Sequence, residues 1–187
     1  MTLYDRLPDS VDFDGKTYPV DYGFRKVLAV VDLMEDECIP DEAKVQIALD
    51  LLVPVRHPVD PRMLVEITDR IKDDRPPKRQ KQKVIDLQKD WQYIYAGFQQ
   101  AYGINLFRDD LHWLEFTALL AGLPGNTRMS QIIDIRTKPI PKATKYNQEE
   151  IARLTELKAE FALADPGDFQ KGLNRLFDAL KSQIGRG

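Results

Sequence analysis

DDLHWLEFTALLAGLPGNTRMSQIIDIRTKPIP, Asp109–Pro141, gathers much of the chain's apolar weight into one window. It reads as helix, tight turn, helix, stop. Asp109 or Asp110 is placed to cap a first helix carrying Leu111, Leu114, Ala118 and Leu119. Gly122 ends that helix, Leu123-Pro124-Gly125 turns, and Asn126 or Thr127 caps a second helix bearing Met129, Ile132, Ile133 and Ile135. Pro139 and Pro141 stop it. Two functions compete for such a unit. A helix-turn-helix aimed at DNA would use Arg128, Gln131, Arg136 and Lys138 on bases or phosphates. A helical hairpin would instead hold protein. The three isoleucines spread apolar surface around much of the second helix, where a recognition helix keeps a wide polar face. That favours protein.

Composition narrows the classes further. The 187 residues suit one domain with tails, and 43% hydrophobic content supplies a real core. No apolar run approaches the ~18 residues of a membrane span. MTLYDRLPDSV lacks the basic-then-apolar pattern of a secretory signal, so a cytoplasmic location is expected. The net charge is −3, whereas a protein devoted to nucleic acid is usually basic, because phosphate neutralisation supplies most non-specific affinity.

Outward from the central window, VDFDGKTYPV at Val11–Val20 alternates on either side of Asp14-Gly15, the dipeptide that suits a type I′ turn. Val11, Phe13, Tyr18 and Val20 share one face of the expected hairpin, and Pro19 keeps its second arm at an edge. From Asp21 the period becomes helical. Phe24, Val27, Leu28, Val31 and Met34 mark one helix; Val45, Ala48, Leu49 and Leu52 mark a second, with Asp41 and Glu42 in its first turn. Met63, Leu64, Ile67 and Ile71 mark a short third. The stretch 72–90, with Lys78, Arg79, Lys81 and Lys83, reads as a flexible basic linker. Asp90 is placed to cap a helix whose inner face is Tyr93, Ile94, Gly97, Phe98 and Ala101, with Gly103 in the left-handed position that ends it. Asn147 opens a polar helix with Ile151, Leu154, Leu157 and Phe161. After Asp165-Pro166-Gly167, a last helix carries Phe169, Leu173, Leu176, Phe177 and Leu180. The expected fold is therefore mainly α: a compact helical domain at 22–163, a small N-terminal β-hairpin within 1–21, and a helical tail at 164–187.

Catalytic constellations are scarce. The glycines form no phosphate-binding array, and Cys38, the lone cysteine, has only His57 and His112 as candidate bases. His112 and Glu115 stand three apart on a helix, a spacing that can serve a metal, but no second pair completes a site. His57 with Asp60 is also too little. The expectation is no enzyme, no cofactor and no metal. For protein contact, the large rings are the candidates: Trp91, Tyr95, Tyr102, Trp113 and Phe116.

Three ordered blocks carry a family likeness: LYDRLPDSVDFDGKTYPVDYGFR at Leu3–Arg25, YIYAGFQQAYGINL at Tyr93–Leu106, and LHWLEFTALLAGLPGNTRMSQIIDIRTKPIPK at Leu111–Lys142. Together they resemble the phage gene product fifteen family, encoded in tail modules of siphophages and prophages of Gram-positive bacteria. The resemblance covers the chain from Leu3 to about Leu163. Family members typically lie between the tail-tube and tape-measure genes, where tail assembly chaperones are placed. The resemblance thus implies a chaperone of tape-measure assembly, acting in the host cytoplasm and absent from the mature virion. Its expected partners are the tape-measure protein first and the tail-tube protein second, with self-association left open. Neither nucleic acid nor membrane is among them. The family brings no catalytic residues to carry over.

Overall fold

The Asp14-Gly15 turn has the two positive φ values, 47° and 76°, that a type I′ hairpin requires. It joins β1 (Ser10–Phe13) to β2 (Lys16–Pro19) in antiparallel register, Val11 opposite Tyr18. Val11, Phe13, Tyr18 and Val20 are all buried, as the alternation predicts, while Pro19 stays exposed. This computed structural model describes residues 4–72 and 84–163. The basic cluster Lys78–Lys83 and the tail at 164–187 lie outside the described residues. Among the described residues the chain is mainly α, with seven helices and the one hairpin.

The sequence leads one to expect a single domain over 22–163. Within the chain, contacts cluster into two compact units, with the boundary falling inside the fifth helix.

The described part of the first unit comprises 4–72 and 110–118. The hairpin lies on α3 (Pro61–Asp69), α3 packs on α2 (Asp41–Leu52), and α2 on α1 (Phe24–Glu35). Their expected faces are the core: Val27 and Val31 of α1, Val45, Ala48, Leu49 and Leu52 of α2, Met63, Leu64 and Ile67 of α3. Asp60 caps α3 by accepting from Arg62 N–H at 2.8 Å. The Arg62 side chain clasps the same carboxylate, which holds it below the usual carboxylate range.

A short backbone ladder completes this unit. Gly23 and His112 form an antiparallel bridge: Phe24 N–H donates to Leu111 O at 2.9 Å, and Trp113 N–H to Tyr22 O at 2.8 Å. A Cβ at Gly23 would lie 3.1 Å from Asp21 Oδ1 and 3.2 Å from Asp110 Oδ1, so the close approach favours glycine. The ladder delivers the start of α5 (Trp113–Ala121) to the core, where the Phe116 ring stacks on Phe24 at 4.7 Å.

The described part of the second unit comprises 84–109 and 119–163. Here α6 (Arg128–Thr137) packs on α4 (Trp91–Tyr102) and α7 (Gln148–Glu160). Ile94, Phe98, Met129, Ile132, Leu154 and Phe161 are buried. Gly97 lets Leu123 come to within 3.3 Å of where a Cβ would stand. Thr127, fully buried, caps α6 by accepting from Ser130 N–H. Gly103 ends α4 with φ 69°, the expected left-handed cap.

Two local expectations are corrected. Val84–Asp90, assigned to the linker, carries buried Asp86 and Asp90 and belongs to the second unit. And α5 does not bury Leu111, Leu114, Ala118 and Leu119. Its buried residues are Trp113 and Phe116, because Phe24 and the Gly23–His112 bridge choose which side of a helix rich in leucine turns inward.

Candidate protein-binding surface

Trp91 and Tyr95 stand four apart on α4 and therefore share a face. Trp91 is 48% exposed and Tyr95 half-buried. A third ring joins them from the loop at the end of the helix. Asn105 N–H donates to Asp109 Oδ2 at 2.7 Å, and Phe107 N–H donates to Asn105 Oδ1 at 3.0 Å. These two side chain–backbone bonds set the loop as a turn and hold Phe107 against the helix. Its ring centroid lies 4.8 Å from Tyr95 and 5.9 Å, edge-on, from Trp91. Phe107 is 64% exposed, unusual for a phenylalanine. The result is a pre-formed patch of three rings, of the residue types that anchor protein interfaces, on a backbone that needs no reordering.

The other candidate rings have different work. Trp113 and Phe116, candidates for contact by residue type, lie in the core, 6% and 2% exposed. Tyr102 is half-buried, its hydroxyl donating to Leu119 O at 3.0 Å and its ring edge-on to Phe98. Sequence reasoning missed Phe107, because it sits on no periodic element. Its one signal was an apolar ring inside the Asn105–Asp109 turn.

The cations of the helix-turn-helix reading are engaged inside the unit. Arg136 engages all three guanidinium nitrogens: Nε donates to Phe161 O at 2.7 Å, one terminal nitrogen to Val84 O and to Asp90 Oδ2, the other to Asp90 Oδ1. Arg128 lies over the Phe161 ring at 5.2 Å, and Lys138 is 3.7 Å from Glu150. Gln131 is exposed. Asp90, expected to cap α4 with its side chain, stands at the cap position without doing so; its carboxylate takes Arg136 and Asp86 N–H instead.

The spacing that raised a metal site has another use. His112 Nδ1 accepts from Leu114 N–H at 3.1 Å, while Glu115 accepts from His112 N–H at 3.1 Å. This is a capping box at the start of α5 with histidine in the capping role. The remaining ring nitrogen, Nε2, faces Pro8 O at 3.0 Å, which assigns it the proton. His57 places its nitrogens 3.1 Å from Pro58 O and 3.2 Å from Asp50, and Cys38 is exposed in the turn after α1. Among the described residues no group of three His, Cys, Asp or Glu side chains could hold a metal ion, and no helix is long and apolar enough to cross a membrane.

No curated protein and no solved structure matches the chain. A family match does exist, to the bacteriophage Gp15 proteins, over residues 3–163. It spans both units and includes the hairpin, the Gly23–His112 ladder and the three-ring patch. The chain belongs to the bacteriophage Gp15 protein family, and so among phage proteins of the structural or assembly class.

Proposed function

We propose that the chain is a tail-assembly protein that binds the tape-measure protein in the host cytoplasm, keeps it soluble until the tail tube forms, and is not retained in the virion. The observation that carries this reading is the Trp91–Tyr95–Phe107 patch, presented by a member of a phage family. A tape measure is a long, largely helical polypeptide whose apolar stripes lack partners before the tube surrounds it. An exposed aromatic surface on a rigid helix can cover such a stripe in the helix-on-groove manner. Three rings make a small contact, and a small contact suits a chaperone that must release when tube subunits compete for the same stripe.

The engagement of Arg136, Arg128 and Lys138 within the second unit speaks for a protein partner over a DNA duplex. The test is co-expression with the tape-measure protein encoded beside it, followed by co-purification and a solubility assay. A stable pair that survives moderate salt supports apolar recognition, since a phosphate-driven complex weakens steeply with salt. A tape measure equally soluble alone, with no pair recovered, defeats the proposal. Tight, salt-sensitive duplex binding by the same preparation would put the DNA-binding reading in its place.

A further inference from the structure

Among the seven helices described, α4 alone carries no charged residue, in a chain of which 30% is charged. It is nevertheless not buried all round. Gln92, Ala96 and Gln99 are exposed and follow one another at four- and three-residue steps, so they form one stripe beside Trp91 and Tyr95. A solvated helix face is ordinarily charged, whereas the centre of a protein interface is depleted of charge. Among the described residues the Gln92 and Gln99 amides bond to nothing, while Gln100, at the edge of the stripe, turns to Asn126 O at 3.5 Å. Ala96, at its middle, presents only a methyl group, and a second helix can approach closely there.

Charge enters at one end only. Arg108, next to Phe107, is exposed and forms no ion pair among the described residues. The neighbouring Asp109 carboxylate is held by Asn105 N–H at 2.7 Å. We infer that the face of α4 takes a single helix of the partner, whose uncharged stripe lies along Gln92, Ala96 and Gln99 and ends in a carboxylate beside Arg108. From Trp91 to Gln99 the axis rises about 12 Å, room for roughly two turns of such a helix. A second copy of the chain is the poorer occupant. Three rings that bury about 150–250 Å² each when fully covered are here already part-covered, and offer roughly 300 Å² against the ~800 Å² per partner of a stable complex. The inference rests on the tape-measure reading of the patch and names the kind of segment it would hold.

The test uses the full chain and two synthetic helical peptides of roughly four turns. Both carry the same uncharged leucine–alanine stripe, ended by glutamate in one and by lysine in the other. Fluorescence anisotropy of each labelled peptide is followed at low salt, where exposed charges are least screened. Wild type should bind the glutamate-ended peptide roughly two- to fivefold tighter, the scale of one exposed ion pair, and Arg108→Glu should reverse the order. Ala96→Glu should weaken both peptides by about tenfold or more with melting unchanged, since it sets a charge against an apolar stripe at an exposed helical position. No binding of either peptide overturns the inference, as do affinities that the two substitutions leave unchanged. A wild-type dimer in sedimentation that Ala96→Glu dissolves also overturns it, because a second copy would then occupy the face. Tape-measure co-purification separates the surface from the function. Its failure beside the expected peptide behaviour removes the function and leaves the surface; a pair indifferent to Ala96→Glu and Arg108→Glu does the reverse.

Discussion

The Arg136 guanidinium grips the Asp90 carboxylate through two bonds, 2.6 and 2.8 Å long, with the side chains 9% and 3% exposed. Two further bonds from Arg136, to Val84 O and Phe161 O, bring the entry to α4 and the exit of α7 onto α6. One side chain thus fixes the frame that carries Trp91. Arg136→Met leaves a buried carboxylate unpaired and should cost about 3–5 kcal/mol in denaturant unfolding. Asp90→Leu with Arg136→Met should recover much of that loss, because an apolar pair of similar volume leaves no stranded charge. A single variant as stable as wild type would show the pair to be incidental.

Tyr22 gives a pH signature. Burial pushes its phenol up to about 12, and its hydroxyl donates to Ile67 O at 3.2 Å. A raised folded-state value means the unfolded chain loses this proton first. The stabilisation is therefore complete below about pH 10 and is lost between about pH 10 and 12, by roughly 3 kcal/mol. Stability measured from pH 9 to 12 should fall more steeply in wild type than in Tyr22→Phe. Parallel slopes would contradict the assignment.

In α5 the structure ranks substitutions differently from the sequence. Phe116→Ala removes a ring stacked on Phe24 and should cost about 3–5 kcal/mol. Leu114→Ala, at a half-buried position, should cost clearly less. Melting temperatures of the two variants decide it; a larger loss at Leu114 would restore the face read from the sequence.

Thr127→Ala should cost about 1–2 kcal/mol, since the buried hydroxyl accepts from Ser130 N–H and donates to Pro124 O at 2.8 Å. Thr127→Ser, which keeps the oxygen, should retain most of that stability. Equal losses in the two variants would assign the effect to the methyl group.

Legibility in the sequence tracked the range of the interactions. The hairpin and the faces of α1, α2 and α3 were readable because Asp14-Gly15 and the change of period at Asp21 are local signals. The inward face of α5 was not, because its leucines surround the helix and Phe24, far away in sequence, selects among them. The Asp90–Arg136 pair spans 46 residues, and its only hint was an arginine following Ile132, Ile133 and Ile135. The patch was half readable. Trp91 and Tyr95 stood out as rings on a helix, whereas Phe107 depends on the turn that Asn105 and Asp109 close.

The central claim is that the Trp91–Tyr95–Phe107 surface binds the tape-measure protein. The most direct measurement is the affinity of that protein for wild type and for Trp91→Ala and Phe107→Ala, with melting temperatures alongside. Both residues are exposed, so folding should change little, whereas loss of an interface anchor of about 2 kcal/mol weakens binding by roughly thirtyfold. Weakened binding with unchanged melting is the predicted result. Affinity equal to wild type in both variants would contradict the account.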